Sequence, residues 1–297
     1  MSVLVTGLSG FVGRHLASVL DCVPMETQGH QVDLRSREDV LAAVQGVHPS
    51  AVIHLAAQSS VAYSLEHPRE TLEVNLMGTL NLLEALASVG YRGRFLYIGS
   101  SDVYGPGTAS GSPVDETCAQ HPTSPYAVSK AAAEMLCLQW GAQASFDVVV
   151  ARPFNHIGPG QSDAFVVSSL ARQLVEIKMG KRAPVVEVGN VTSARDFTDV
   201  RDVVQAYALL LDHGAPGEAY NVCSGKATTV EEILLILMKL CGVEPEIRVT
   251  EQRLRLGDVP RIVGNAQKFS RATGWQPKIP LIASLADVLE DWERRLT

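Results

Sequence analysis

The stretch Val3-Leu4-Val5-Thr6-Gly7-Leu8-Ser9-Gly10-Phe11-Val12-Gly13 decides the fold. Its apolar opening, 2–6, reads as a buried strand ending on glycine. Phe11, Leu16, Val19 and Leu20 then recur at helical spacing over 11–20. Between strand and helix the glycines have mechanical uses. Gly7 permits the tight turn, Gly10 lets a pyrophosphate approach the backbone, and Gly13 lets the helix pack closely on the strand. A pyrophosphate placed there meets the amides that open the helix, beside Phe11 and Val12.

Working outward, short apolar runs alternate with helical spacing. Residues 31–34, 51–55, 94–98 and 146–151 read as strands, and 70–89 and 124–144 as helices. Such alternation predicts a doubly wound, Rossmann-type parallel α/β sheet covered on both faces. After Asn155 the texture changes at Ile157-Gly158-Pro159-Gly160-Gln161, a loop signal. Residues 164–179, 200–211, 229–240 and 281–295 read as helices, and 185–188 and 218–222 as strands. Thr228 or Thr229 is the expected N-cap of the 229–240 helix. The expected division is a dinucleotide-binding domain, 1–157 joined by part of 190–225. The rest of 158–297 forms a smaller, discontinuous C-terminal α/β substrate domain over the carboxyl edge of the sheet.

Composition narrows the partners. The 297 residues are 46% hydrophobic and 19% charged, which suffices for a core and excludes intrinsic disorder. The longest apolar run, 233–238, is far short of the roughly 20 residues of a membrane span. No basic segment precedes the first strand, so a cytoplasmic location is expected. With 25 basic against 32 acidic residues, net −7, a diffuse nucleic-acid surface is disfavoured. Cys22, Cys118, Cys137, Cys223 and Cys241 are scattered, which reads as reduced thiols without a metal site.

Tyr126-Ala127-Val128-Ser129-Lys130 carries the chemistry. Ser124 is placed to cap the helix and Pro125 to open it. Tyr126 and Lys130 then share one face. Reducing a ketone with a hydride needs a proton donor at the nascent alkoxide. A phenol with a pKa near 10 serves poorly unless a neighbouring ammonium lowers it. Ser100 ends a strand in Gly99-Ser100-Ser101-Asp102-Val103-Tyr104-Gly105, where its hydroxyl can orient the carbonyl toward Tyr126. For the adenosine ribose, Glu26 is the acidic candidate, while Arg14 and Arg35 are candidates for a 2′-phosphate. NADH and NADPH both remain open as cofactor. His54 reads as a satisfied core histidine. His156 reads equally as a ligand donor or a loop-holding residue, and Trp140, Trp275 and Trp292 as packing.

These residues together resemble the extended short-chain dehydrogenase/reductases. The resemblance implies that Asp33 and Leu34 contact adenine, that Leu55, Ala56 and Ala57 line the cofactor, and that Asn75 lies near the active site. It implies Pro153 against the nicotinamide and Asn155 and Arg195 on a nucleotide sugar. Arg255 would face the diphosphate, with Arg253 as its alternative, and Asp258 the ribose. Arginine forks suit diphosphate charge. Within the family, Ala151 to Gln161 and Tyr220-Asn221-Val222-Cys223-Ser224-Gly225 resemble the branch that reduces the 4-keto group of GDP-4-dehydro-6-deoxy-mannose.

The alternative is a GDP-mannose 4,6-dehydratase or an epimerase. By resemblance, a dehydratase carries an acid/base pair ending in Glu directly after the catalytic hydroxyl. Here those positions are Ser101 and Asp102, expected at the substrate; Ser101 is no acid, and Asp102 reaches about 1.5 Å less far than Glu. A non-catalytic dinucleotide sensor is the remaining alternative, but it has no need of Ser100, Tyr126 and Lys130 in register. Family members often form homodimers through the 70–89 and Tyr126 helices, so a dimer is expected.

Overall fold

A computed structural model describes residues 2–27, 29–107, 111–250 and 260–297. A six-stranded sheet runs from edge to edge as Cys22–Pro24, Val3–Thr6, Ala51–His54, Arg94–Ile98, Asp147–Pro153 and Ala219–Val222. Every neighbouring pair is parallel. The chain starts one strand in from the edge, steps outward to Cys22–Pro24, then crosses back to Ala51–His54. That reversal opens a crevice beyond the carboxyl ends of Val3–Thr6 and Ala51–His54, where ligands of such sheets bind.

Side-chain alternation explains the two covered faces. Val3, Val5, Ile53, Leu96, Ile98 and Val149 pack against Val203, Tyr207 and Leu210 of the helix Val200–His213. Leu4, Val52, Phe95, Tyr97, Val148 and Val150 pack on the opposite face with Val44, Leu82, Leu86 and Cys137. Burying each side chain of this size stabilises by ~1.5–3 kcal/mol, so a slip of one residue in any central strand would exchange the faces at prohibitive cost.

Beyond Pro153 the chain builds smaller sheets. Ala194–Asp199 pairs antiparallel with Ala227–Thr229 and parallel with Arg261–Ile262 and Asn155–Ile157. Val185–Val188 pairs with Glu246–Val249. The helices Val166–Lys178, Val230–Cys241 and Leu281–Leu296 share a separate core around Leu174, Ile233, Leu237, Leu285 and Trp292. Thr229 is the N-cap of Val230–Cys241, and with Glu232 it forms a reciprocal capping box.

Several sequence expectations need correction. Residues 31–34 are not a strand of the main sheet: among the described residues His30–Gln31 pairs with Glu26–Thr27 in a two-stranded hairpin. The outer strand is Cys22–Pro24, and Pro24 is tolerated because an edge strand needs no ladder donor on its open side. The 70–89 helix begins at Pro68 and widens into a π-turn at Glu73–Met77 before continuing as Gly78–Ser88. The helices Arg37–Val47 and Gln267–Thr273 were not anticipated. Among the described residues, no helix is long and apolar enough to cross a membrane, and no cluster of ligating side chains could hold a metal ion.

Candidate active site

The glycine turn sits at the carboxyl end of the first strand. Gly7 has φ +74°, and a Cβ there would lie 3.0 Å from the Ala56 backbone. A Cβ on Gly13 would lie 2.3 Å from the Leu8 carbonyl oxygen, so only glycine lets the helix Phe11–Leu16 rest against its own approach loop. Gly10 is the N-cap and has no side chain with which to cover the first amides. Leu55, Ala56 and Ala57 follow Ala51–His54, and Ala56 meets this turn, its N–H donating to Thr6 Oγ1 at 3.0 Å.

Arg14 and Arg35 are both engaged within the protein. Arg14 donates to the carbonyls of Ser9 (2.7 Å) and Gly160 (3.1 Å), tying the glycine loop to the 158–161 loop. Arg35 forks onto Asp33, which holds the Asp33 carboxyl below its ordinary range. Leu34 is buried, and Glu26 is exposed on the small hairpin.

Ser100, Tyr126 and Lys130 converge where the carboxyl end of Arg94–Ile98 meets the first turns of the Tyr126 helix, Pro125–Gln143. Ser124 accepts from the Ala127 amide and Pro125 opens the helix, as expected. Ser100 is buried and accepts the Asp102 amide at 3.1 Å, which leaves its own proton to donate. Tyr126 and Lys130 are 9% and 4% exposed, so neither titrates as it would in water. Burial pushes the Tyr126 phenol above its usual value, the Asp102 carboxylate adds to that rise, and the Ser100 hydrogen bond opposes it. The expected depression of this phenol by Lys130 is therefore not what the protein alone produces. Desolvation lowers Lys130 itself to about 8. Its ammonium donates to the Ile98 carbonyl at 2.8 Å and lies 5.3 Å from the Tyr97 ring centroid.

Asn75 lies in the π-turn, buried beside the Tyr126 helix. Its amide donates to Ser129 Oγ at 2.9 Å and to the Gln58 carbonyl at 3.0 Å, and its oxygen accepts the Gln58 N–H at 2.7 Å. Ser101 is buried in the 3-10 turn Ser101–Tyr104 that also carries Asp102. Pro153 ends the fifth strand of the sheet. Asn155 is exposed and stands opposite Phe197 in the strand pair that also carries Arg195, so Asn155 and Arg195 are brought onto adjacent strands. Arg195 donates to the Ala194 carbonyl at 3.0 Å. Arg253, Arg255 and Asp258 lie outside the described residues.

His156 holds the loop: Nδ1 donates to the Phe154 carbonyl at 3.1 Å and the ring stacks on Phe11. Trp275 and Trp292 are buried packing residues, each with its indole N–H bonded inside the protein.

Sequence reasoning missed three residues. Glu134 follows Lys130 by one more helical turn and is 1% exposed in an ion pair with Arg152, 7% exposed. Tyr104 receives the other arm of Arg152 at 2.7 Å and donates to Asn221 at 2.8 Å. This clamp joins the catalytic helix, the strand ending at Pro153 and the Ser100 turn. Its signal was the four-residue recurrence Tyr126, Lys130, Glu134. The third is Gln58, directly after Ala57, whose Oε1 is buried with no hydrogen-bond partner among the described residues. An orphaned buried acceptor costs ~1–3 kcal/mol and points to a donor from a ligand. The glycine cradle and this acceptor fit a bound dinucleotide.

A parallel sheet with a glycine turn at its strand reversal, and Ser100, Tyr126 and Lys130 gathered at its carboxyl end, defines an extended short-chain dehydrogenase/reductase. The family model described as GDP-mannose 4,6 dehydratase matches residues 20–288, and the chain belongs to that family. It is 46% identical over 296 residues to GDP-6-deoxy-D-mannose reductase of Pseudomonas aeruginosa, covering 98% of this chain and 97% of that protein. The structure of RMD from Pseudomonas aeruginosa complexed with NADPH superposes with a TM-score of 0.92 at 45% identity, covering 99% of both chains. GDP-mannose 4,6 dehydratase 2 of Arabidopsis thaliana is 31% identical, over 84% of this chain and 67% of that protein.

Proposed function

We infer that this protein reduces the 4-keto group of GDP-4-dehydro-6-deoxy-D-mannose with NADPH or NADH, giving GDP-D-rhamnose. The observation that carries the reading is the full-length likeness to a GDP-6-deoxy-D-mannose reductase, joined to a site that keeps Ser100, Tyr126 and Lys130. Where a dehydratase needs its elimination pair, this chain has the buried Ser101 and the shorter Asp102.

Gly7, Gly10, Phe11, Val12 and Gly13 would hold the pyrophosphate, and Asp33 and Leu34 the adenine. Leu55, Ala56, Ala57, Asn75, Lys130 and Pro153 would border the nicotinamide riboside. When bound, the reduced cofactor supplies the hydride. The chain's own residues supply the rest. Ser100 donates its proton to the sugar carbonyl oxygen and holds it toward Tyr126. Tyr126 delivers the phenolic proton to that oxygen as charge develops there. Its raised pKa suits this direction, because a donor must be protonated before the step. Asn155, Arg195, Arg255 and Asp258 are the residues proposed for the GDP-sugar.

Exposed Met77, Val128 and Met135 lie on the two helices expected to form a homodimer, which supports that assembly. A cytoplasmic location, and a division near residue 157 with Ala219–Val222 returning to the first unit, belong to the same reading.

The test is oxidation of NADPH and NADH with GDP-4-dehydro-6-deoxy-mannose, against incubation with GDP-mannose and catalytic cofactor alone. Stoichiometric oxidation with GDP-rhamnose formed supports reduction. A 4-keto-6-deoxy product from GDP-mannose establishes the dehydratase instead.

A further inference from the structure

A line of buried side chains runs from the glycine turn to the catalytic helix. Thr6, His54, Thr79, Asn75 and Ser129 are each at most 2% exposed. The links are Ala56 N to Thr6 Oγ1 (3.0 Å), Thr6 Oγ1 to His54 Nδ1 (2.7 Å), and His54 Nε2 to Thr79 Oγ1 (2.9 Å). They continue from Thr79 Oγ1 to the Asn75 carbonyl (2.6 Å), from Asn75 Nδ2 to Ser129 Oγ (2.9 Å), and from Ser129 Oγ to the Tyr126 carbonyl (2.7 Å).

The direction of every proton follows from counting donors. A carbonyl only accepts, so Ser129 gives its one proton to Tyr126 and must accept from Asn75. Thr79 likewise gives its proton to the Asn75 carbonyl and must accept from His54. His54 therefore carries its proton on Nε2, leaving Nδ1 bare, and Thr6 donates to it. Thr6 in turn accepts the Ala56 N–H. No hydroxyl in the line can reverse without leaving a buried group unmatched.

We propose that His54 is a positioning residue which, as the neutral Nε2–H tautomer, couples the cofactor-binding turn of Gly7 and Ala56 to the placement of Tyr126. His54 is a middle link of the line, bonded to Thr6 on the side of the glycine turn and to Thr79 on the side of the catalytic helix. Through Nδ1 it fixes Thr6 and hence the two loops of the crevice. Through Nε2 it fixes Thr79, the Asn75 π-turn and the first turn of the catalytic helix. A fully satisfied buried network of this kind has one low-energy arrangement, so a shift at either end is felt at the other.

The proposal rests on the reductase reading only for turnover, so its tests include two that need no substrate. Nitrogen-15 imidazole spectra of the wild-type protein, with His54→Gln for assignment, should show His54 as Nε2–H and not titrating between about pH 5 and 9. An Nδ1–H tautomer or a titration in that window would overturn the proposal. Two variants then divide the line. His54→Asn can keep an acceptor for Thr6 but loses the donor to Thr79; His54→Gln can keep that donor but loses the acceptor. His54→Asn should lower kcat about tenfold with the NADPH dissociation constant within about twofold, and His54→Gln should do the reverse. Ser129→Ala, which removes only the last link, should behave as His54→Asn. Equal changes in both parameters that track the loss in Tm, or no change in either, would reduce His54 to a packing residue and overturn the proposal.

Discussion

The Lys130 ammonium donates to the Ile98 carbonyl at 2.8 Å, two residues before Ser100. The helix that carries the proton donor is thereby tied to the strand that delivers the carbonyl-orienting serine. Lys130 is also short of counter-charge: desolvation holds its pKa at about 8, well below the usual 10.5. Turnover should fall as pH rises through about 8, as the ammonium is lost. Lys130→Met should be impaired across the whole range, and its pH–rate profile should lack that alkaline limb. The linkage sign is separate and opposite. Between about 8 and 10.5 the unfolded chain binds a proton at this lysine that the folded chain does not. Wild type should therefore gain stability relative to Lys130→Met across that window in urea titrations.

Tyr126→Phe removes the proton but keeps the ring. We expect kcat to drop by a factor of ~10²–10⁴, with NADPH binding by fluorescence titration nearly unchanged. Ser100→Ala should lower kcat by less, because the phenol keeps its proton when the serine is removed. Wild-type turnover by the phenylalanine variant would remove Tyr126 from the mechanism.

The Arg152–Glu134 pair is sealed from water, and breaking one side leaves a buried charge. Arg152→Leu should cost ~3–5 kcal/mol in equilibrium urea unfolding. Restoring neutrality with Arg152→Leu and Glu134→Leu together should recover a good part of that loss. A single variant as stable as wild type would show that water reaches the pair.

Gly13→Ala places a Cβ 2.3 Å from the Leu8 carbonyl oxygen. The helix must move away from the turn, so NADPH affinity should fall by more than about tenfold, with a loss of ~1–3 kcal/mol in stability. Isothermal titration and thermal unfolding would measure the two effects. Gly46→Ala, which meets no atom within 4 Å and lies in the helix Arg37–Val47, is the control expected to leave NADPH affinity unchanged and to lose no stability.

The central strands were legible because parallel strands buried on both faces read as unbroken apolar runs. Arg94–Ile98 falls where the sequence places it. The outer strand was less legible. Cys22–Pro24 is short, half-exposed and contains proline, and its place is set by pairing with Val3–Thr6. The helix Arg37–Val47 carried a local sign, Ser36 as cap with Glu38 and Asp39 in the first turn, but only a weak apolar stripe to mark it. The π-turn at Asn75 had no such sign. It exists because Asn75 bonds the Gln58 backbone and Ser129, which come from two distant elements.

By itself the sequence determined the glycine turn, the Tyr126–Lys130 face and the Ser100 strand end. Each depends on neighbours within a few residues, where backbone geometry and helical period fix the outcome. Tertiary structure alone decided how those pieces are held and charged. The Arg152–Glu134 clamp joins residues 18 apart, and the Thr6–His54 link residues 48 apart. The same burial raises the Tyr126 phenol and lowers the Lys130 ammonium, because both lose water only once the sheet, the catalytic helix and the Ser100 turn have closed around them.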